Sequence, residues 1–559
     1  MTASHHGSAQ ITTVKPPAEL DAAQLLQRIP FPLLSKLYDI KAGVAYAEPS
    51  PPESPTSKDK TEDENEQSML ELMLKYADRI TEMISRPNVE SIDAPQEVLK
   101  LLIGYIDQTV LATRNIHTVV ASFPITNSER SRVLRSYYEA LHAANVSPRL
   151  QERGLFGISE KGASTKVYTV FGGQGLRGNR IEELRELVDT YPSLTRETIH
   201  DLSSLLVNLS KTDNIPNHIL PQGLNILSWL HNRTQVPESE YLNSAPVSVP
   251  LIGFVQLVHY EVTCKTLGLT PGQFRSRTAG TTGHSQGIIT AAATAVAHNW
   301  PSWREAMRAA LTTLFWIGIR TQQVWNELPH STISEAMIQD SVDHGERKPS
   351  PMLSIRGLSR ADLQKCIDAT KRYLKNGTHT MAISMTNAPC HFVVSGPPKH
   401  LYGLNLQIRK IKNLSSAGMD SAVGSMFLQV SVPFHTSWLE PAVPMIHNDL
   451  KDVQLHKGQF KIPVFSTENG QDVSQGKELL PHELVELVVS RGLDWGKATA
   501  HLHPEPTVGA RTPVVLDFGP GGVYGISALS KSHSGSRIIL AGTLSGQEKD
   551  MGYKEELFR

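Results

Sequence analysis

Gly280-Thr281-Thr282-Gly283-His284-Ser285-Gln286-Gly287-Ile288-Ile289 holds the pattern Gly-x-Ser-x-Gly at 283–287 and leads into an apolar stretch that reads as a helix over Gln286–Asn299. A serine in this pattern sits on a tight strand-to-helix turn that exposes its hydroxyl. The following backbone N–H, here that of Gln286, then points into an oxyanion hole at the helix N-terminus. The flanking glycines leave room for the strained turn. On its own the pentapeptide also fits an ordinary glycine-rich turn. The strand expected before it, Ser276–Thr282, is short on hydrophobic residues, whereas the apolar helix after it favours the elbow.

Working outward, Val167–Phe171 is β-branched and aromatic and reads as a buried strand ending in Gly172-Gly173-Gln174-Gly175. Helices dominate from there to about Leu269, among them Pro250–Leu267 with a continuous apolar face. Residues 352–430 change rhythm, with strand Met352–Ile355, helix Ser359–Leu374, strands His379–Thr386 and His391–Ser395, helix Pro398–Lys412 and strand Met426–Ser431. That β-α-β-β-α-β order is the ferredoxin-like split pattern, here inserted in a larger α/β domain. Strand Ile462–Ser466, helix Pro481–Val489 and strand Val514–Phe518 follow, the last ending in Gly519-Pro520-Gly521-Gly522.

Upstream, Leu70, Met73, Leu74, Ala77, Ile80 and Met83 share one helical face, and further helices are expected at Pro95–Thr113 and Asn127–Ala144. Glu48–Gln67 is rich in Pro, Ser and charge and too poor in apolar residues to offset its ordering entropy. A short amphipathic helix is expected at Ala22–Tyr38. The domain reading is therefore a mostly disordered segment and linker over 1–67, a small helical domain over 68–160, the α/β core over 161–351 and 432–559, and the inserted subdomain over 352–431.

The chain has 559 residues, 40% hydrophobic and 19% charged, with a formal charge of -1. Nothing in that balance predicts nucleic-acid binding or a polybasic membrane anchor. The apolar stretches Ile288–Val296 and Leu311–Ile319 are about half the length a membrane crossing requires. Three cysteines, Cys264, Cys366 and Cys390, form no CxxC pair and read as reduced, mostly buried residues. With a polar N-terminus lacking an apolar signal core, this predicts a cytoplasmic protein.

A serine hydroxyl needs an adjacent base. Among 22 histidines, His435 stands out in Val432-Pro433-Phe434-His435-Thr436, directly after the strand that closes the inserted subdomain. No acidic residue occupies the loop position that an ordinary α/β-hydrolase triad would use before it. His501 and His503 read as a solvated loop, His5 and His6 as a disordered end, and no third ligand makes a zinc site of them.

Taken together these residues resemble the acyl- and malonyl-CoA:ACP transferases. The resemblance rests on Phe171-Gly-Gly-Gln-Gly175, Gly283-His-Ser-Gln-Gly287, Asn387 with Val394-Ser-Gly-Pro397, Pro433-Phe-His435 and Phe518-Gly-Pro-Gly521, in that order. Longer stretches, Ser244–Ile252, Gly280–Ile288 and Ser395–Leu406, look like the acetyltransferase domain of the fungal fatty acid synthase β subunit. The resemblance covers roughly residues 95–559.

It implies an α/β-hydrolase-like acyltransferase core in which Ser285 carries the acyl group and His435 takes its proton. His435 Nδ1 would be oriented by a backbone carbonyl near the Asp517–Gly521 loop, and the backbone N–H groups of Gln174 and Gln286 would form the oxyanion hole. Asn387 and His284 are implied to shape the substrate site. Malonyl-selective relatives carry an arginine on the helix where Ile317 stands here, which implies an uncharged acetyl or short alkyl group; Arg320, one turn on, is the alternative partner for a carboxylate. No permanently bound cofactor is implied. A coenzyme A thioester is the donor, and the phosphopantetheine of an acyl carrier protein domain in a synthase α subunit is the acceptor, within a hetero-oligomeric synthase. A shortened Asn413–Ser425 and the bulky Trp438 suggest a specialised synthase making a short starter for a secondary metabolite. The sequence leaves open a fragment or a free-standing loading protein. It also leaves open a thioester hydrolase with the same dyad, or a non-catalytic scaffold subunit.

Overall fold

The computed structural model describes residues 62–559 apart from 86–92, 151–153, 157–164, 176–178, 330–331, 375–380, 416–422, 454–458, 475–479, 503–511, 532–534 and 547–549. The helix read at Ala22–Tyr38 and the linker up to residue 61 lie outside the described residues. Two units are distinguished, one running to Val110 together with Ala143–Val146, the other comprising Leu111–His142 and Ser147–Arg559.

In the first unit, helix α1 (Glu62–Ile84) packs against α2 (Asp93–Thr109). Leu70, Met73, Leu74, Ala77 and Ile80 of α1 are buried, as are Val98, Leu99, Ile103 and Ile106 of α2, in the spacing of an amphipathic stripe. Helix α1 begins inside the stretch expected to be linker. Between Pro55 and Glu62 the sequence has neither proline nor glycine, and no helix breaker follows before Ile84.

The second unit takes in residues that local pattern grouped with the helical domain. Helix α3 (Ile116–Ser122) precedes α4 (Asn127–Ala143) and packs on the C-terminal turn Lys554–Phe558. His117 stacks on Phe558 at 4.3 Å between ring centroids, and its Nε2 lies 2.9 Å from the Tyr191 hydroxyl.

The strands, in chain order, are β1 (Val167–Phe171), β2 (Gly280–Gly283), β3 (Met352–Arg356), β4 (Ala382–Ala388), β5 (His391–Ser395), β6 (Gly424–Phe427), β7 (Val464–Phe465), β8 (Leu493–Asp494), β9 (Val514–Asp517) and β10 (Arg537–Leu540). The core sheet has the order β10-β9-β1-β2-β7, and every pair in it is parallel. The expected strand Ser276–Thr282 starts only at Gly280. Before it Thr270-Pro271-Gly272-Gln273 closes a capping box and winds a single helical turn, Pro271–Arg275. The short strand β10 carries only Ile538, Ile539 and Leu540 as apolar residues, and sequence pattern did not distinguish it.

Helices around the core sheet include α5 (Arg180–Thr190), α6 (Ala245–Thr266), α7 (Gly287–Val296) and α8 (Trp300–Glu327). By length and composition α6 passes as a membrane-crossing helix, yet its apolar window is wholly buried inside the unit, as the central helix of a layered core is. Helix α7 stops at Val296, three residues short of expectation, because Asn299 caps the next helix by accepting from Ser302 N.

The inserted sheet has the order β6-β3-β5-β4, antiparallel throughout, with α9 (Arg360–Leu374) and α10 (Pro398–Ser415) as its crossovers. Leu353, Ile355, Phe392 and Val394 of the strands pack with Leu363, Ile367, Leu401, Leu404 and Ile408 of the helices. Strand β8, from the returning core chain, adds to β4 in parallel. Two more helices follow the insertion, α11 (Ala442–Asp449) and α12 (Leu480–Val489). Of the cysteines only Cys264 is buried. Cys366 is half-buried against the subdomain core and Cys390 is exposed, so the expectation of mostly buried thiols fails for Cys390 and holds only in part for Cys366.

An ion pair fastens α8 to α11. Arg320 Nε donates to Asp449 Oδ2 at 2.6 Å and its Nη2 to Oδ1 at 3.1 Å, with both side chains more than nine-tenths buried. Removing one partner of a buried pair leaves the other charge uncompensated. Asp449→Ala is therefore expected to destabilise the second unit by about 3–5 kcal/mol, read as a lowered urea midpoint for its unfolding. A midpoint equal to that of the wild type would show the pair to be dispensable.

Candidate active site

Strand β2 ends at Gly283, and the chain turns at once into α7. His284 N donates to Phe171 O at 2.8 Å, so the turn is pinned to the end of β1. Ser285 has φ +55°, in the left-handed region, which costs a non-glycine residue roughly 1–3 kcal/mol. Gly287 makes the turn possible, because a Cβ there would lie 2.3 Å from Phe171 O. The elbow read from sequence is thus formed, and Ser285 lies at its apex with 6% of its surface exposed.

His435 follows β6 and is also held at positive φ, +62°. Its backbone N donates to Val489 O at 3.0 Å, which fixes it against the end of α12. Its ring spans two partners: Nε2 lies 2.7 Å from Ser285 Oγ and Nδ1 lies 2.9 Å from Arg491 O. A carbonyl can only accept, so Nδ1 carries the proton and Nε2 accepts the serine hydroxyl. Burial pushes the imidazole down to about 4, against the opposing effect of the Arg491 carbonyl and with a further push from nearby His284. The ring is therefore a neutral base at neutral pH.

The orienting group is a carbonyl, as expected, but it comes from the turn between α12 and β8 rather than from the Asp517–Gly521 loop. That loop is committed elsewhere. Gly519 O accepts Gly172 N at 2.9 Å, Asp517 Oδ1 accepts Gly519 N at 2.7 Å, and Gly521 N donates to Glu183 Oε2 at 3.0 Å. The Arg491 side chain is engaged in ion pairs, with Glu468 at 3.6 Å and with Glu486.

Gln286 is the N-cap residue of α7 and is buried. Gln174 lies in the loop after β1, next to Gly173, where an added Cβ would meet His284 O at 2.8 Å and Ser285 Cβ at 3.1 Å. Both glutamines thus flank the serine. His284 and Asn387 meet each other, His284 Nε2 to Asn387 Oδ1 at 2.9 Å, and this bond joins the elbow to strand β4. Burial lowers His284 to about 4, opposed by the Asn387 bond, and its ring lies edge-on to Trp495. Ile317 is fully buried on α8, which packs on α6 and α7. Arg320, one turn away, is consumed by Asp449, by Asn214 O at 3.1 Å and by Gln323 at 2.8 Å. Trp438 packs edge-on against Trp325 of α8.

His501 is not a solvated loop residue. Its ring stacks on Phe465 and leans on Tyr168; His503 lies outside the described residues. A cleft of about 840 Å³ opens beyond β9 and β10, lined by Glu183, Glu186, Asp189, Arg132 and His259 among others, and neither Ser285 nor His435 borders it. Hydrogen-bond geometry rather than cavity size therefore marks the candidate site. Sequence reasoning missed Arg491, which acts through its main chain, and Trp495, which a motif search has no cause to select.

Comparison with known proteins places the chain among relatives by sequence. Residues 169–435 match the family described as starter unit:ACP transacylase in aflatoxin biosynthesis, and residues 48–144 match the N-terminal domain in fatty acid synthase subunit beta. The chain is 38% identical over 504 residues to the fatty acid synthase beta subunit TOXC of Cochliobolus carbonum, covering 88% of this chain and 24% of that protein. It is 33% identical over 517 residues to the fatty acid synthase subunit beta of Saccharomyces cerevisiae, covering 89% of this chain and 24% of that protein. The chain thus spans about a quarter of the length of these relatives. A solved malonyl CoA-acyl carrier protein transacylase from Coxiella burnetii aligns with a TM-score of 0.45 at 16% identity, over 68% of this chain and 95% of that one. With adjoining matches to the starter unit:ACP transacylase and β-subunit N-terminal models, and relatives matched over most of its own length, the chain is related to a region of the fungal fatty acid synthase β subunits.

Proposed function

We propose that this chain is an acyl-CoA:acyl-carrier-protein S-acyltransferase that loads an acetyl or short alkyl starter through an acyl-serine intermediate. The observation that carries this reading is the 2.7 Å contact between Ser285 Oγ and a neutral His435 whose other nitrogen is held by Arg491 O. In the first half-reaction Oγ attacks the thioester carbonyl carbon as its proton passes to His435 Nε2. The carbonyl oxygen becomes an oxyanion facing the backbone N–H groups of Gln174 and Gln286. Collapse breaks the C–S bond, and the coenzyme A sulfur leaves with the proton from Nε2. In the second half the phosphopantetheine thiol of the carrier gives its proton to Nε2 and attacks the ester, and Oγ regains a proton as it leaves. The acceptor is a carrier domain of a synthase α subunit, in a hetero-oligomeric assembly. Ile317 supports an uncharged acyl group, since Arg320 is already paired with Asp449.

Incubation with acetyl-CoA should add a single acetyl group to the protein by intact-mass spectrometry, and Ser285→Ala should abolish the adduct. A full-rate adduct on the alanine variant would overturn the nucleophile assignment. Hydrolysis of the adduct at the rate of its transfer to a carrier thiol would instead favour a thioesterase.

The depressed base makes a pH prediction. His435 is competent when neutral, that is, above its folded value of about 4. The kcat/KM for acylation should stay level as pH falls from 7 to 5 and decline only as it passes through about 4, rather than near the ordinary histidine value of about 6.5. An acid limb at 6 or above would contradict a buried neutral base.

Selectivity tests the substrate. Malonyl-CoA would have to bury a carboxylate without a counter-charge, so acetyl-CoA should be favoured by at least ~10²-fold. Ile317→Arg should narrow or invert that ratio by offering a bidentate partner. Acylation rates with both thioesters, with circular dichroism to confirm folding, decide the matter. A folded variant with an unchanged ratio would refute the role given to Ile317.

A further inference from the structure

Gln256 is completely buried in the middle of α6. Its Nε2 donates to Gly172 O and to Gly519 O, both at 2.8 Å, and its Oε1 accepts Thr290 Oγ1 at 2.8 Å. These three partners belong to three separate segments. Gly172 lies two residues before Gln174, Gly519 belongs to the loop after β9, and Thr290 sits one turn beyond Gln286 on α7.

The same helix also grips the side chains of both glutamines. Gln286 Nε2 donates to Val249 O at 3.0 Å, and Gln174 Nε2 donates to Ser248 Oγ, which is itself anchored to Ser244 O at 2.8 Å. Val249 and Gln256 are seven residues apart, so they lie two turns apart on one face of the helix. Helix α6 therefore holds both the loop after β1 and the first turns of α7, each by two bonds.

We propose that Gln256 is a positioning residue for the oxyanion hole, a single buried amide that fixes the separation between the backbone N–H groups of Gln174 and Gln286. This rests on the acyl-serine reading above. An amide suits the task because two N–H donors can bridge two carbonyls on different loops while the oxygen takes a hydroxyl from a third. Gln256 is shut off from bulk water, so a lost bond is not readily replaced. Gly519 O keeps its bond from Gly172 N, but the tie from both loops to α6 and α7 is gone and the Gly172–Gln174 segment shifts against α7. The donors then no longer converge on the position the oxyanion occupies. A rigid, satisfied network beneath the hole is what preorganised stabilisation requires.

The test is Gln256→Met, which keeps the shape and removes all three bonds, assayed by the burst of coenzyme A released on acylation. Expected is a fall in kcat of roughly 10- to 100-fold, the cost of a small misplacement of catalytic groups, with KM for acetyl-CoA held. The inhibition constant of a trifluoromethyl ketone analogue of acetyl-CoA, whose adduct places an oxyanion in the hole, should rise by the same factor as kcat/KM falls. A folded variant that melts earlier but keeps its kcat and its affinity for the analogue would overturn the proposal, since a purely structural tie moves only the melting. Should the methionine variant fail to fold, Thr290→Val removes the Oε1 bond alone. A several-fold loss of kcat at unchanged KM then supports the role, and wild-type kcat overturns it. Wild-type protein that forms no acyl adduct on Ser285 would instead sink the underlying reading, which keeps the two failures distinguishable.

Discussion

The close approach of Gly287 to the end of β1 governs the geometry around Ser285. With Phe171 O only 2.3 Å from where a side-chain carbon would begin, α7 can start directly against the C-terminal end of the central strand. That seating drives Ser285 into the left-handed region and sets its hydroxyl toward His435. A β carbon at 287 would push the helix outward, carrying with it Gln286, Thr290 and the segment bonded to α6. The strain at Ser285 is thus sustained by packing elsewhere, through the bond from His284 to Phe171 and the buried helices behind it.

The base is held by a different logic. His435 emerges where the inserted subdomain hands the chain back to the core, and both of its main-chain and side-chain anchors, Val489 O and Arg491 O, come from the end of α12 and the turn after it. The next strand, β8, then pairs with β4 of the inserted sheet, whose Asn387 reaches back to His284. Nucleophile and base thus reside on segments cross-linked through the subdomain, so two sheets with separate hydrophobic layers share one site.

Much of this was legible in the residues. The glycines flanking Ser285 announce a turn that few other sequences can make, and period-two and period-3.6 patterns mark the inserted sheet with its two helices. Elsewhere the sequence is silent for physical reasons. His117 meets Phe558 across most of the chain, and no local pattern separates α3 from the helices before it. The single turn at Pro271 and the cap at Asn299 redirect elements through hydrogen bonds that hydrophobic periodicity does not register. The contact of His501 with Phe465 is invisible in a stretch whose composition reads as a loop. Ile317 can be located on a buried helix face, but its neighbour Arg320 acquires meaning only once Asp449 is found opposite it.

The histidine of the dyad is steered by a main-chain oxygen, and a main-chain oxygen has no letter in the genetic code. Substitution at position 491 changes the ion pairs with Glu468 and Glu486 but leaves the acceptor in place. What evolution can alter instead is spacing. A residue gained or lost between α12 and β8 would slide a different carbonyl past Nδ1 while every side chain of the dyad survived. On the proposed acyl-serine reading, the third member of the group is a register rather than a residue, set by the length of the turn and not by the side chain at position 491.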